Sequence, residues 1–186
     1  MLKIKIVFAT SNEHKFKESG EILGKYGIEI EQFKFQHNEI RSDSLEEIAI
    51  EAVEAAYEKV KTQVFVEDTG LFINSLNGFP GAYSAWVYKK IGSDGLLKLL
   101  ENANDRGAVF KTCIAMKETS GVNTFFGECK GRISGSAIGK NGFGYDPIFI
   151  PDGETQTFAE NVCLKNKYSH RFNSLLLLAK HLAAKR

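Results

Sequence analysis

Two adjacent carboxylates, Glu67 and Asp68, sit inside an otherwise apolar run, Val-Phe-Val-Glu-Asp-Thr-Gly-Leu-Phe-Ile over Val64–Ile73. Val64, Phe65, Val66, Phe72 and Ile73 are β-branched or aromatic, the composition of a buried strand. Carboxylates in such a strand are costly unless a metal, a hydrogen-bond network or a proton compensates them. Thr69-Gly70 is expected to break the run, so that the strand end delivers a carboxylate into a site. Taken alone, the pair also reads as the polar punctuation of a hairpin.

Three further groups favour a site. Thr10-Ser11-Asn12 follows an apolar stretch and carries helix N-cap chemistry, with Lys15 one turn inside the helix that Asn12 opens. A strand running through a polar loop into a helix N-terminus favours a phosphate, through backbone N–H groups and the helix dipole. The same residues also fit an ordinary cap with a surface lysine. Glu39 stands in a loop ahead of the second helix, where no solvent-facing helical stripe accounts for it. It is the acid expected to join Asp68 if a metal is bound. Lys165-Asn-Lys-Tyr-Ser-His-Arg171 places His170 and three cations at the start of the last helix. Cations there oppose the helix dipole, so an anion or a functional reason is expected in the same place. A capped surface loop is the plainer alternative.

The elements that must position these groups read as alternating strands and helices. Ile4–Ala9 is a strand, and Asn12 caps a helix that Gly24 and Gly27 end. A second strand covers residues 28–35. Ser44-Leu-Glu-Glu47 is a capping box. The helix behind it carries Leu45, Ile48, Ala49, Ala52, Val53, Ala56 and Val60 on one stripe, with its glutamates facing solvent. After Val64–Ile73 come a loop with Asn77-Gly78 and Pro80-Gly81 turn signals, a short helix over 83–91, a glycine break at Gly92 and Gly95, and a helix over 96–102. Residues 108–116 and 123–133 form an antiparallel hairpin. Residues 134–144 are dense in glycine but match neither a Walker loop nor GxGxxG. A short strand follows at 148–150. The last helix runs from near Ser169 to Ala184, with Phe172, Leu175, Leu176, Ala179, Leu182 and Ala183 buried.

The 186 residues, 43% hydrophobic and 25% charged, suit one globular domain over 1–186, with room for two lobes. Three scattered cysteines, Cys113, Cys129 and Cys163, lack zinc or disulfide spacing and suit a reducing compartment. The lysines interleaved in Met-Leu-Lys-Ile-Lys-Ile are strand alternation, not a signal peptide, and no apolar run is long enough for a membrane span. A cytoplasmic protein is expected. A net charge of +1 argues against a nucleic-acid scaffold, but charge is unevenly spread. Residues 43–68 hold eight acids and two lysines, a balance of −6. Residues 161–186 hold six Lys or Arg and no acid, a balance of +6. Most of these charges are solvated helix faces, and a few suit a metal-holding and an anion-holding side of one site.

Carboxylates and cations together suit a magnesium-bound polyphosphate, because Mg²⁺ takes one or two carboxylates and fills its shell with water and phosphate oxygens. Phe143 in the glycine loop can stack on a base, and His170 and Arg171 can donate to ring oxygens. Mg²⁺-dependent hydrolysis of a nucleotide is the chemistry these residues point to.

At these residues the chain resembles the inosine triphosphate pyrophosphatase family, enzymes that hydrolyse non-standard purine nucleoside triphosphates to the monophosphate and pyrophosphate. Thr10-Ser-Asn-Glu-His-Lys15 matches the opening T-x-N-x-x-K loop, and Glu39 stands where the family keeps a glutamate. Glu67-Asp-Thr-Gly-Leu71 matches E-D-[ST]-G-L, and Gly78-Phe-Pro-Gly81 with Ser84 matches G-x-P-G-x-x-S. Phe143-Gly-Tyr-Asp-Pro147 matches F-G-Y-D-P, and Ser169-His-Arg171 matches S-H-R with Lys165 five residues before the histidine. Each motif is weak alone, and six in order are strong. The resemblance implies an α/β fold with a long central mixed sheet flanked by helices, two lobes with a cleft between them, and a homodimer.

It also implies roles. Thr10, Ser11, Asn12, Glu13, His14 and Lys15 would hold the triphosphate. Glu39 and Asp68 would hold Mg²⁺, Asp68 would help activate water, and Lys15 and Glu39 would share in catalysis. Thr69 would touch the substrate, and Phe143, Gly144, Tyr145, Asp146, Lys165, His170 and Arg171 would form the purine pocket. Trp86 departs from bacterial relatives, which often carry arginine there, so no contact is carried over to it. A 6-oxo purine would accept a hydrogen bond from Arg171 or a backbone N–H, where a 6-amino group would set donor against donor. Two rivals stand beside this reading. Asp68-Thr69-Gly70 also spells an aspartic-protease signature, although it would leave Lys15, Glu39 and the basic cluster without roles. A nucleotide-binding sensor without turnover is the other.

Overall fold

Strand β1 (Ile4–Ala9) pairs in parallel with β2 (Ile28–Phe33), from Ile4 opposite Ile28 to Ala9 opposite Phe33. It also pairs in parallel with the start of β3 (Val64–Ile73), at Val7 opposite Val64 and Phe8 opposite Phe65. The computed structural model in which these pairings are seen describes residues 4–38 and 40–184; Glu39 lies outside the described residues. The remaining strands are β4 (Pro80–Gly81), β5 (Gly107–Glu118), β6 (Gly121–Ile133) and β7 (Phe149–Pro151). They complete a seven-stranded sheet in the order β2-β1-β3-β5-β6-β7, with β4 on β3. β4 and β7 are antiparallel to their neighbours β3 and β6, so the sheet is mixed. The helices are α1 (Glu13–Gly24), α2 (Leu45–Val60), α3 (Ser84–Leu99), α4 (Val162–Tyr168) and α5 (His170–Ala184).

The described residues divide into two units, each assembled from separate stretches of chain. One holds the residues up to Asp68, Thr112–Gly127 and those from Arg171 on; the other holds Thr69–Lys111 and Glu128–His170. Two of the divisions, Asp68/Thr69 and His170/Arg171, fall inside the E-D-T-G-L and S-H-R motifs. The first unit's core joins Phe8, Ile22, Leu23, Phe65, Ile114, Leu175 and Leu178, with the Phe8 and Phe65 rings stacked at 4.3 Å. The second unit's core joins Leu71, Leu96, Leu100, Phe110, Phe149 and Phe158.

The local signals act where the residue pattern placed them. Asn12 caps α1, its side chain accepting from the Lys15 amide, and Ser44 caps α2 in the same way from the Glu47 amide. Leu45, Ile48, Ala49, Ala52, Val53 and Ala56 are all buried. The break expected near Gly92 is present as a kink in α3, where Gly92 takes φ 63° and ψ −168°.

Four expectations need correcting. β2 stops at Phe33, two residues short of the expected end. Thr69-Gly70 does not break the central strand, which is continuous over Val64–Ile73. The strand changes partner instead, pairing with β1 before the carboxylates and with β4 after them, at Leu71 opposite Gly81 and Phe72 opposite Pro80. Glycine is required at 70 because a Cβ there would lie 2.5 Å from the Gly81 carbonyl oxygen. Ser84 locks the junction: its hydroxyl accepts from the Leu71 amide at 2.7 Å and donates to the Gly81 carbonyl at 2.7 Å.

The basic segment also differs. Lys165 and Lys167 lie in the last turn of a separate helix, α4, where cations suit the helix dipole; only His170 and Arg171 open α5. The buried face of α5 is shifted as well. Arg171, Ser174, Leu175, Leu178, Ala179 and Leu182 are buried, whereas Ala183 is exposed and Phe172 and Leu176 are only partly covered. The charge of Arg171 disguised its place at the head of the stripe.

Candidate functional site

The first unit gathers Thr10, Ser11, Asn12, Glu13, His14, Lys15, Asp68 and Arg171 among the expected site residues. The Thr10–Asn12 loop is tied by its own side chains. The Thr10 hydroxyl accepts from the Asn12 amide at 3.1 Å, and Ser11 donates to the Phe35 carbonyl at 2.9 Å. The Thr10 amide donates to the Phe33 carbonyl, so the loop is anchored at the end of β2. Glu13 and His14 are exposed on the first turn of α1.

Lys15 turns back onto the central strand. Its ammonium donates to the Glu67 carbonyl oxygen at 3.0 Å and lies 3.5 Å from Glu67 Oε1. Glu67, whose side chain is fully buried, also accepts from Arg171 Nε at 2.8 Å and Arg171 Nη2 at 2.7 Å. Arg171 Nη1 donates to Glu18 Oε2 at 2.6 Å. Burial alone would lower the Arg171 pKa, but the charges and hydrogen bonds of Glu67 and then Glu18 outweigh it and raise it above the ordinary arginine value. The compensation that two strand carboxylates demanded is therefore, for Glu67, two cations of the protein itself. The anion expected near the start of α5 is the same Glu67, with Glu18.

Neither Glu67 nor Glu18 was singled out as a partner of these cations. One signal pointed to Glu18: it lies three residues after Lys15 and so shares a helix face with it. The partner of Glu67 has no such local signal.

Asp68, the next residue, is half-buried. Among the described residues no three His, Cys, Asp or Glu gather to hold a metal. Asp68 is the second carboxylate of the strand, and Glu39 lies outside the described residues. One or two hard oxygen ligands of this kind fit Mg²⁺, which keeps water and phosphate for the rest of its shell.

The second unit holds Thr69, Phe143, Gly144, Tyr145, Asp146, Lys165 and His170. Asp146 ties two of them, Phe143 and Lys165, together. Its Oδ2 accepts from the Phe143 amide at 2.7 Å and from Lys165 Nζ at 2.8 Å, with both charged side chains almost fully buried. The Lys165 ammonium lies 4.3 Å from the centre of the Phe143 ring, a cation–π contact. Gly142 makes this turn possible, since it takes φ +74° and a Cβ there would meet Asp146 Oδ2 at 2.1 Å. Phe143 is half-buried, whereas Tyr145 and His170 belong to the interior. The Tyr145 hydroxyl donates to the Ser84 carbonyl at 3.4 Å, and burial pushes its pKa up. The His170 ring stacks on Phe110 at 4.5 Å. Thr69 is half-buried on β3.

Comparisons with known proteins identify the family. The model of the Ham1 family matches residues 6–181. This chain belongs to the Ham1 family. A dITP/XTP pyrophosphatase of Methanopyrus kandleri is 49% identical over 174 residues, covering 92% of this chain and 93% of the relative. A dITP/XTP pyrophosphatase of Pyrococcus horikoshii is 46% identical over 173 residues, covering 92% and 93%. Among solved structures, the Ham1 protein of Staphylococcus aureus superposes with a TM-score of 0.84 at 32% identity, covering 98% of this chain and 100% of that one. The resemblance drawn from the ordered motifs and the Ham1 membership thus coincide, and the mixed sheet flanked by helices is the fold of these Ham1 relatives. Membership also removes the aspartic-protease reading of Asp68-Thr69-Gly70. No helix among the described residues is long and apolar enough to cross a membrane.

Proposed function

We propose that this chain hydrolyses non-standard purine nucleoside triphosphates of the ITP, dITP, XTP and dXTP kind to the nucleoside monophosphate and pyrophosphate. It does so as a Mg²⁺-dependent homodimer in the cytoplasm, cleansing the nucleotide pool. The observation that carries the reading is the Lys15 ammonium held beside the Asp68-bearing strand, behind a capped helix N-terminus, in a chain 49% identical to a dITP/XTP pyrophosphatase.

The Thr10–Lys15 segment receives the triphosphate through backbone N–H groups, the α1 dipole and the Lys15 charge. Asp68, with Glu39, holds Mg²⁺, which when bound neutralises phosphate charge and lowers the pKa of water. Asp68 accepts the proton of the water that attacks the α-phosphorus. The new P–O bond forms as the bond to the bridging α–β oxygen breaks, and pyrophosphate leaves with that oxygen. Phe143 stacks on the base, with Gly144, Tyr145, Asp146 and Lys165 supporting its turn, His170 packed in the interior on Phe110, and Thr69 completing the substrate contacts. The 6-oxo group accepts a hydrogen bond from a backbone N–H, Arg171 being held by Glu67 and Glu18; a 6-amino group there costs roughly 1–3 kcal/mol.

The test is a product assay with ITP and ATP in parallel, with and without Mg²⁺, scoring pyrophosphate against orthophosphate. Mg²⁺-dependent pyrophosphate from ITP and little from ATP is expected. Orthophosphate as first product places attack at the terminal phosphate and overturns the reading. Binding of ITP without turnover makes the chain a sensor.

A further inference from the structure

We propose that Glu67 is a positioning residue of the phosphate loop, a role that rests on the pyrophosphatase reading. Its carboxylate, together with Arg171, sets where the Lys15 ammonium lies before any nucleotide arrives.

The geometry behind this is a chain of fixed contacts. Arg171 grips Glu67 at two points, Nε to Oε2 and Nη2 to Oε1, which fixes the carboxylate in plane and direction. Glu18 holds the third guanidinium nitrogen, so Arg171 is itself immobilised. Lys15 then meets Glu67 twice, at the carbonyl oxygen and at Oε1. A lysine on an open surface explores many rotamers and loses that freedom when it binds an anion. Here the loss has already been taken in folding, which favours affinity and alignment. Glu67 is engaged by two cations and so is ill-suited as a metal ligand or base.

The experiment combines an amine signal with kinetics. In the wild-type protein the Lys15 Nζ–H signal, identified by its loss in Lys15→Arg, is expected to be protected from exchange with water. Glu67→Gln should abolish that protection. The same variant should lower kcat for ITP by at least about tenfold, without raising KM in proportion, because a neighbouring negative charge is removed while alignment is lost. Half-saturation by Mg²⁺ should stay within about twofold, as expected of a residue that is not a ligand. In a Lys15→Met background, Glu67→Gln should change kcat by less than about twofold, since its effect runs through Lys15.

A protected Lys15 signal in Glu67→Gln, a raised Mg²⁺ requirement, or full multiplication of the two kcat losses overturns the proposal. If Glu67→Gln does not fold, Glu67→Asp keeps the charge but shortens the reach, and the same Lys15 signal decides. A wild-type protein that releases no pyrophosphate from ITP sinks the proposed function alone, because the Lys15 signal reads the positioning independently of turnover.

Discussion

Arg171 donates two hydrogen bonds to Glu67, at 2.8 and 2.7 Å, across 104 residues of sequence. The pair is buried, and Glu18 and Lys15 extend it to two cations and two anions. Desolvating two charges offsets much of their attraction, so the pair's net stabilisation is small, but removing one partner strands the other. Arg171→Met should therefore destabilise the fold by about 3–5 kcal/mol. Arg171→Lys should recover only part, because an ammonium cannot reproduce the fork. Urea unfolding of both variants checks this, and a loss under about 1 kcal/mol for Arg171→Met would show that Glu67 finds solvent instead.

Asp68 is the residue on which turnover depends in the proposed reaction. Asp68→Asn keeps the shape of the side chain but cannot take a proton or hold a hard cation. Its kcat for ITP should fall by about 10²–10⁴-fold or more while nucleotide binding remains detectable by calorimetry. Wild-type turnover in this variant removes Asp68 from the chemistry.

Phe143 and its support should separate in kinetics. Phe143→Ala should raise KM for ITP by an amount equivalent to about 1–3 kcal/mol of stacking, with kcat little changed. Asp146→Asn loosens the Phe143 amide and Lys165 together, so it should raise KM and destabilise the second unit as well. An unchanged KM in Phe143→Ala takes Phe143 out of the base pocket.

Ser84 gives a prediction about fold alone. Its buried hydroxyl satisfies the Leu71 amide and the Gly81 carbonyl where β3 changes partner. Ser84→Ala leaves both groups without it and should cost about 1–3 kcal/mol in urea unfolding. A neutral effect would mean that water replaces the hydroxyl.

The buried thiols predict alkaline behaviour. Burial pushes Cys113 up from 9.0 to about 12, helped by the charges of Glu46 and Asp68, and Cys129 likewise to about 12, helped by Asp152. A raised thiol pKa favours the protonated folded form, so this contribution is complete below about pH 9 and is lost as pH rises from 9 towards 12. Urea midpoints should fall over that window, and less steeply in a Cys113→Ala, Cys129→Ala double variant. Iodoacetamide at pH 8 should label exposed Cys163 and spare the other two until the protein unfolds.

What the sequence determined by itself is local. Asn12 and Ser44 cap their helices because a cap acts over three residues, and the α2 stripe is buried because helical period places those side chains on one face. The ordered motifs from Thr10 to Arg171 pointed to the family because each is a short string readable without its partners. What neutralises Glu67 was not readable. The demand for a compensating partner followed from a carboxylate in an apolar strand, but Arg171 lies in another element and only chain packing joins them. The same packing shifted the buried stripe of α5, since arginine at 171 reads as surface until its carboxylate is known. It also carried β3 through Thr69-Gly70, where glycine marks not a break but the close approach of Gly81. Local periodicity acts within a few residues; the pairing of a buried charge is settled only when distant segments meet.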